Sequence, residues 1–237
     1  MRKTKKHILV TGASRGIGKA ILESLDQSNV TIVGQSTTGA DGLIPSDFSQ
    51  DGAATSLWEQ ALDQLDGRID VLINNAGIFD PNPLASDDWL ASWNQTMTIN
   101  LSASAELCRL AVLHFQKRTD TGRIINIASR AAYRGDSPDH WHYAASKGGM
   151  VAMTKTIARA YAKDEILAFA ICPGFTMTGM AEDYLASRGG DKLLADIPLG
   201  RVAQPEEIAE MARWCALDAP PSMTGAVLDA NGASFVR

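Results

Sequence analysis

Short apolar runs alternate along the chain with longer stretches in which apolar residues recur every three to four positions. The runs His7–Thr11, Val30–Gly34, Val71–Asn74, Ile124–Ala128, Leu167–Cys172 and Val227–Asp229 read as β-strands. Lys19–Ser28, a segment near Ala53–Leu65, Ser102–Lys117 and Tyr143–Lys163 have the helical period and read as amphipathic helices. Alternation of this length predicts βαβ units: an α/β fold with a doubly wound parallel sheet covered by helices on both faces, three layers in all. There is no internal repeat, low-complexity tract or Pro/Gly/Ser linker, so one domain over residues 1–237 is expected. Two regions break the rhythm. Gln35–Gln50 is polar and carries Gly39, Gly42 and Pro45 where such a fold places a helix, which predicts a shortened crossover. Thr176–Ala195 joins a strand end to a later helix and is the natural place for a lid over a substrate.

Composition narrows the class. The 237 residues are 45% hydrophobic and 21% charged, with a formal net charge of −5, enough chain for a full core and no basic field for nucleic acid or an anionic membrane. The basic cluster Arg2, Lys3, Lys5 and Lys6 is followed by only a brief apolar run, too short for a signal peptide, and no stretch approaches a membrane span. Cys108, Cys172 and Cys215 are too few and too scattered for a disulfide framework or zinc site. They are expected as buried free thiols in a cytoplasmic protein with no metal.

Three features carry chemistry. Thr11-Gly12-Ala13-Ser14-Arg15-Gly16-Ile17-Gly18 lies between the first strand and the first helix, where glycines permit a tight turn and the helix N-terminus offers free N–H groups to a pyrophosphate. A glycine-rich loop could be an ordinary turn, and its spacing differs from Gly-x-Gly-x-x-Gly, but this position favours a dinucleotide on a Rossmann-type fold. Tyr143 and Lys147 stand four residues apart on one helical face, where an ammonium would stabilise phenolate and lower the tyrosine pKa toward the working range of an acid/base. Taken alone, the pair reads more readily as two surface residues sharing a face. Ser129 follows the strand Ile124–Ala128, at the end of a parallel sheet where ligands bind. Asn100 interrupts a helical pattern, and its default reading is a helix-surface residue.

Taken in order, Thr11–Gly18, Asn74-Asn75-Ala76-Gly77, Asn100, Ser129, Tyr143-x3-Lys147 and Pro173-Gly174 resemble the short-chain dehydrogenase/reductase superfamily over essentially the whole chain. The late segment Ile197-Pro-Leu-Gly-Arg-Val-Ala-Gln-Pro-Glu-Glu-Ile208 belongs to the same pattern, most like the 3-oxoacyl-carrier-protein reductases. The resemblance implies Tyr143 as acid/base, Ser129 orienting the substrate oxygen, Lys147 on the nicotinamide ribose and Asn100 positioning a relay water. It also implies cofactor contacts from Gly12, Ser14, Arg15 and Ile17 along the phosphates and adenosine, Asp47 and Phe48 at the adenine, Asn75, Ala76 and Gly77 on the adenosine side and its ribose, and Pro173, Gly174 and Thr176 at the nicotinamide. The chain departs from the family pattern in a Ser129-to-Tyr143 gap one residue longer, in Phe169 for an Asn, in Asp229-Ala-Asn-Gly232 for Asp-Gly-Gly, and in the missing crossover helix.

These readings imply an oxidoreductase moving a hydride between a nicotinamide and a carbonyl or alcohol carbon of a small molecule. The rivals are a catalytically idle dinucleotide sensor or scaffold, and an epimerase or dehydratase on the same fold. No acid precedes Asp41 in Gly34-Gln-Ser-Thr-Thr38, whereas Arg15, Ser36 and Thr37 offer a cation and hydroxyls, so NADP(H) is expected to be preferred and NAD(H) tolerated. Arg130, Tyr133, Arg134, Asp136, His140, Trp141, Met177, Met180 and Tyr184 could face the pocket, and the polar Arg134–His140 insert tilts the substrate toward a small, polar carbonyl compound. Apolar positions in Ile208–Leu217 and Val227–Leu228, with the resemblance, predict a homotetramer.

Overall fold

A computed structural model of the protein describes residues 5–26, 29–118, 120–178 and 190–237. Strands β1 (Lys6–Val10), β2 (Val30–Ser36), β3 (Ile44–Pro45), β4 (Val71–Asn74), β5 (Gly122–Ile127), β6 (Ile166–Pro173) and β7 (Val227–Ala230) form one seven-stranded sheet in the order β3-β2-β1-β4-β5-β6-β7. Every neighbouring pair is parallel. The winding direction reverses between β1 and β4, and that switch point opens the crevice in which a doubly wound sheet binds its ligand.

Side chains alternate between two apolar layers, as period-2 geometry requires. Ile8, Val10, Val71, Ile73, Leu167, Phe169 and Ile171 pack with Ile21 and Leu25 of α1 (Gly16–Leu25) and Ile208, Ala212 and Cys215 of a late helix, Pro205–Leu217. Leu9, Leu72, Ile124, Ile166 and Ala168 face the other way, against α2 (Ala53–Gln64), α4 (Ala103–Phe115) and α6 (Trp141–Tyr161). The remaining helices are α3 (Trp89–Met97), α5 (Ala131–Arg134) and α7 (Gly190–Ala195), so the Pro205–Leu217 helix is α8. The three cysteines are buried and free.

Most elements fall where the hydrophobic pattern placed them, with ends displaced by a few residues. The shortened crossover is present: β2 leads through a single turn at Ala40–Gly42 into the two-residue β3, with no helix between. The periodicity missed α3, whose only buried residue is Thr96 and which therefore has little apolar stripe to display. Of the expected lid, residues 179–189 lie outside the described residues, as do Met180 and Tyr184.

A buried polar ladder ties the sheet to α6 beneath the crevice. Asn74 and Asn126 are register partners on β4 and β5. The Asn74 amide donates to Asn126 Oδ1 (2.8 Å), and the Asn126 amide donates to Thr154 Oγ1 (2.8 Å), which itself donates to the Met150 carbonyl (2.8 Å). All three side chains are fully buried, so each lost partner is costly. Thr154→Val, which keeps the shape but leaves the Asn126 amide unpaired, is expected to destabilise the protein by about 1–3 kcal/mol. A urea titration checks it, with a lowered midpoint and an unchanged slope expected.

Candidate active site

The Thr11–Gly18 turn is locked to the strand beside it. The Thr11 hydroxyl accepts the N–H groups of Asn75 (3.0 Å) and Ala76 (3.1 Å), and the Asn75 amide donates to the carbonyls of Thr11 (3.0 Å) and Gly12 (2.9 Å). Gly12 has φ +64°, and a Cβ there would fall 2.7 Å from Ala76 Cα; a Cβ on Gly18 would fall 2.0 Å from the Gly12 carbonyl oxygen. Glycine is thus required at 12 by backbone conformation and by contact, and at 18 by contact alone. Ser14 and Arg15 are exposed, Ile17 is partly buried, and α1 starts with no side-chain cap and no acid in its first turn. Free N–H groups, a positive dipole end and an open cradle are what a pyrophosphate needs, so the residues present fit a dinucleotide.

Gln35, which the motif reading passed over, couples this loop to the sheet edge. Its buried side chain accepts the Gly12 N–H (2.8 Å) and donates to the Ser46 carbonyl (2.7 Å). Ser36 is buried and its hydroxyl accepts the Gly39 N–H (3.0 Å), while Thr37 is exposed. Asp47 is partly exposed, its pKa lowered by the Ser49 N–H that it accepts. The Phe48 ring lies in the core cluster with Leu57 and Trp58, so only Asp47 of that expected adenine pair presents an accessible side chain.

The candidate catalytic residues lie beyond the C-terminal ends of β4 and β5. A π turn at Thr98–Ser102 carries Asn100 inward, fully buried: its side chain accepts the Ile78 N–H (2.8 Å) and donates to the Ile78 carbonyl (3.0 Å) and Ser146 Oγ (3.3 Å). The helix-surface default for Asn100 is therefore wrong; π turns of this kind recur at functional sites. Lys147 is buried and donates to the Ile127 carbonyl (2.9 Å). A Cβ on Gly77 would lie 3.2 Å from Asn100 Oδ1 and 3.5 Å from Lys147 Nζ, so Gly77 roofs both groups.

Tyr143 stands one helical turn before Lys147, whose Nζ lies 5.8 Å from its ring centroid. Burial pushes the Tyr143 phenol up to about 12, with a hydrogen bond to Ser129 pulling the other way, and burial pushes Lys147 down to about 8. The expected lowering of the tyrosine by Lys147 is thus not seen. Loss of solvent is the largest influence on the phenol, and Lys147 directs its ammonium to the Ile127 carbonyl instead. Ser129 also accepts the Ala131 N–H (3.1 Å), which starts α5.

Phe79 was invisible to the motif reading, although it follows Gly77 by two residues. Its ring meets Tyr143 edge-on (4.7 Å) and stacks on His140 (3.9 Å) from the polar insert, whose Asp139 carbonyl accepts the Asn82 N–H (2.8 Å). Of the other candidate pocket residues, Tyr133 stacks on Phe235 near Arg237, and Arg134 pairs with Asp196. On the far wall the Pro173 carbonyl accepts the Arg130 N–H (2.9 Å), Gly174 donates to the Ala230 carbonyl (2.9 Å), and buried Thr176 bridges to Ala203.

Residues 12–232 match the family model for enoyl-(acyl carrier protein) reductases. The chain belongs to the short-chain dehydrogenase/reductase superfamily. Among its relatives, the 3-oxoacyl-[acyl-carrier-protein] reductase of Synechocystis is 36% identical over 97% of this chain and 96% of its own length. Glucose 1-dehydrogenase 2 of Bacillus subtilis is 29% identical over 97% of this chain and 94% of its own. A crystal structure of a candidate NAD(P)-dependent gluconate 5-dehydrogenase from Beutenbergia cavernae, with NADP bound at low occupancy, superposes with a TM-score of 0.87 at 29% identity, covering 98% of this chain and 97% of that one. As a member of this superfamily the protein is an NAD(P)(H)-dependent oxidoreductase. Among the described residues, no helix is long and apolar enough to cross a membrane.

The depressed Lys147 has a thermodynamic signature. Between pH 8 and 10.5 the unfolded chain holds a proton that the folded chain has released, so this group makes stability rise with pH across that window. Below it the folded state carries a penalty of about 3 kcal/mol. Without cofactor, Lys147→Met is therefore expected to gain stability relative to wild type at pH 7, offset in part by the lost Ile127 hydrogen bond, and the gain should shrink above pH 8. Paired thermal melts from pH 7 to 10.5 test this; a wild-type-to-variant difference that stayed constant with pH would show that the ammonium carries no such penalty.

Proposed function

We propose that the protein is a cytoplasmic, homo-oligomeric reductase of small polar carbonyl compounds, working reversibly, with Tyr143 as its acid/base and residues 1–237 acting as one catalytic domain. The observation that carries the reading is Asn100 and Lys147 gathered beneath Gly77, with Tyr143 one helical turn before Lys147 and hydrogen-bonded to Ser129. When bound, the reduced nicotinamide supplies a hydride to the carbonyl carbon. Ser129 holds the carbonyl oxygen, and Tyr143 delivers the proton to it. A phenol pushed up to about 12 is protonated at neutral pH, the state a proton donor needs. Lys147 sits on the Ile127 carbonyl, 5.8 Å from the centre of the Tyr143 ring; there it would hold ribose hydroxyls and, with Asn100, return a proton after each turnover.

The cofactor is preferentially NADP(H). Arg15 and Thr37 are exposed and would be the residues to meet a 2′-phosphate, and β2 ends in Gln35 and Ser36 rather than an acid that would repel it. NADP in the gluconate 5-dehydrogenase structure and the likeness to 3-oxoacyl reductases support this choice. The small, sugar-like compounds named for the glucose and gluconate dehydrogenases fit the polar wall around His140 better than a long acyl chain does. The oligomer is read as a tetramer using α8 and the edge strand β7, where a groove of about 730 Å³ is lined by Leu199, Met211, Phe235 and Val236.

Tyr143→Phe keeps the ring and deletes the proton donor, so turnover should fall by about 10²–10⁴-fold while cofactor titration stays near wild type. A variant keeping more than about a tenth of the rate would remove Tyr143 from the mechanism. For the cofactor, kcat/KM with NADPH should exceed that with NADH by about tenfold or more, and Arg15→Ala should erase most of the difference by weakening NADPH alone. Equal efficiency with both cofactors in wild type would overturn the assignment.

A further inference from the structure

Arg130 follows Ser129 directly, and its backbone N–H on the Pro173 carbonyl (2.9 Å) pins it between the ends of β5 and β6, beside the reacting groups. Its side chain turns inward, leaving the residue 9% exposed, with the guanidinium carbon 4.8 Å above the centre of the Phe175 ring, two residues past Pro173. Among the described residues the nearest carboxylate is Asp196, at 3.5 Å from Nη1, but the same Asp196 oxygen already accepts a hydrogen bond from Arg134 at 2.7 Å. Two guanidinium groups therefore share one carboxylate oxygen, and the buried Nη1 of Arg130 has no hydrogen-bond partner among the described residues. A buried cation with unmet donors is expensive, and a chain bears that cost where a ligand repays it. A guanidinium plane held on an aromatic face presents its fork in a fixed orientation, which suits a planar oxyanion such as a carboxylate.

We infer that Arg130 is a specificity-determining residue that receives an anionic group, most simply a carboxylate, of the carbonyl substrate, making the preferred substrates oxo- or hydroxy-acids. The inference rests on the reductase reading above and names the substrate class for that site. A competing role is purely mechanical, with Arg130 as a strut between Phe175 and Asp196.

The test uses the full chain with NADPH and three matched pairs that space the charge differently from the ketone: acetoacetate and its methyl ester, 4-oxopentanoate and its methyl ester, and 5-keto-D-gluconate beside neutral 5-keto-D-fructose. Wild type should favour the acid in at least one pair by about tenfold or more in kcat/KM, the size expected of one charge-assisted contact. Arg130→Met should collapse that acid-to-neutral ratio, chiefly through KM for the acid, and Arg130→Lys should restore part of it. A wild type that favours the neutral member of every pair overturns the inference. So does an Arg130→Met variant that loses acid and neutral activity equally, which is the strut outcome. Should wild type reduce none of the six, the reductase reading fails. Calorimetric titration of 4-oxopentanoate and its ester into the NADP⁺-loaded protein then decides the anion site separately. Acid-selective binding lost in Arg130→Met upholds it, and binding that is absent or indifferent to charge overturns it.

Discussion

Two chain segments leave the centre of the sheet after β1 and β4 and wind to opposite faces, and they touch where they part. The contact is backbone against backbone, Gly12 on Ala76, and it is closed by the Thr11 hydroxyl and the Asn75 amide. Everything functional is arranged around this clasp. It sets the phosphate loop at the start of α1 and fixes the height at which Asn75-Ala-Gly leaves β4. Gly77 then lies over Asn100 and Lys147. A side chain at position 12 or 18 would push the two halves of the crevice apart.

The chemistry beneath depends on loss of solvent more than on attraction between charges. Tyr143 and Lys147 share a helical face, yet each is shifted toward its neutral form by burial. Lys147 keeps its ammonium satisfied on a strand carbonyl, and Asn100 spends its amide holding the chain after Gly77. The Asn74–Asn126–Thr154 ladder keeps α6 at the right distance from the sheet for the Lys147 contact to form. The site is thus a stack of polar groups that satisfy one another, with the phenol at its open end.

The layered fold was legible because period-2 runs and 3.6-period stretches alternate cleanly, and because β4 and β6 are so apolar that little else could hold them. The order of the motifs located the crevice for the same reason: in a parallel sheet, residues just past strand ends must gather at one edge. Isolated polar residues were harder to read. Asn100 looked like a surface asparagine because a π turn, which rotates it inward, leaves no mark in the spacing. Gln35 carried no motif, and its role appears only when β2 and the phosphate loop are side by side. Phe79 would have stood out as an aromatic residue in a polar loop, two places past a glycine needed for contact. The tyrosine pKa could not be read from a four-residue spacing, since burial, which spacing does not report, decides its direction.

The missing crossover helix leaves the β2 edge thinly covered. Val30 and Ile32 stay partly exposed, and in place of a helix Leu43 closes over Gly34, where a Cβ would meet it at 2.6 Å and Ala13 and Leu22 at 3.0 Å. β3 contributes only two residues and ends the sheet there. Through Gln35 this edge is also tied to the loop at the start of α1, so a dinucleotide held by that loop would steady the edge as well. A protein whose loop is filled would then hide this edge from proteases better than one without its dinucleotide.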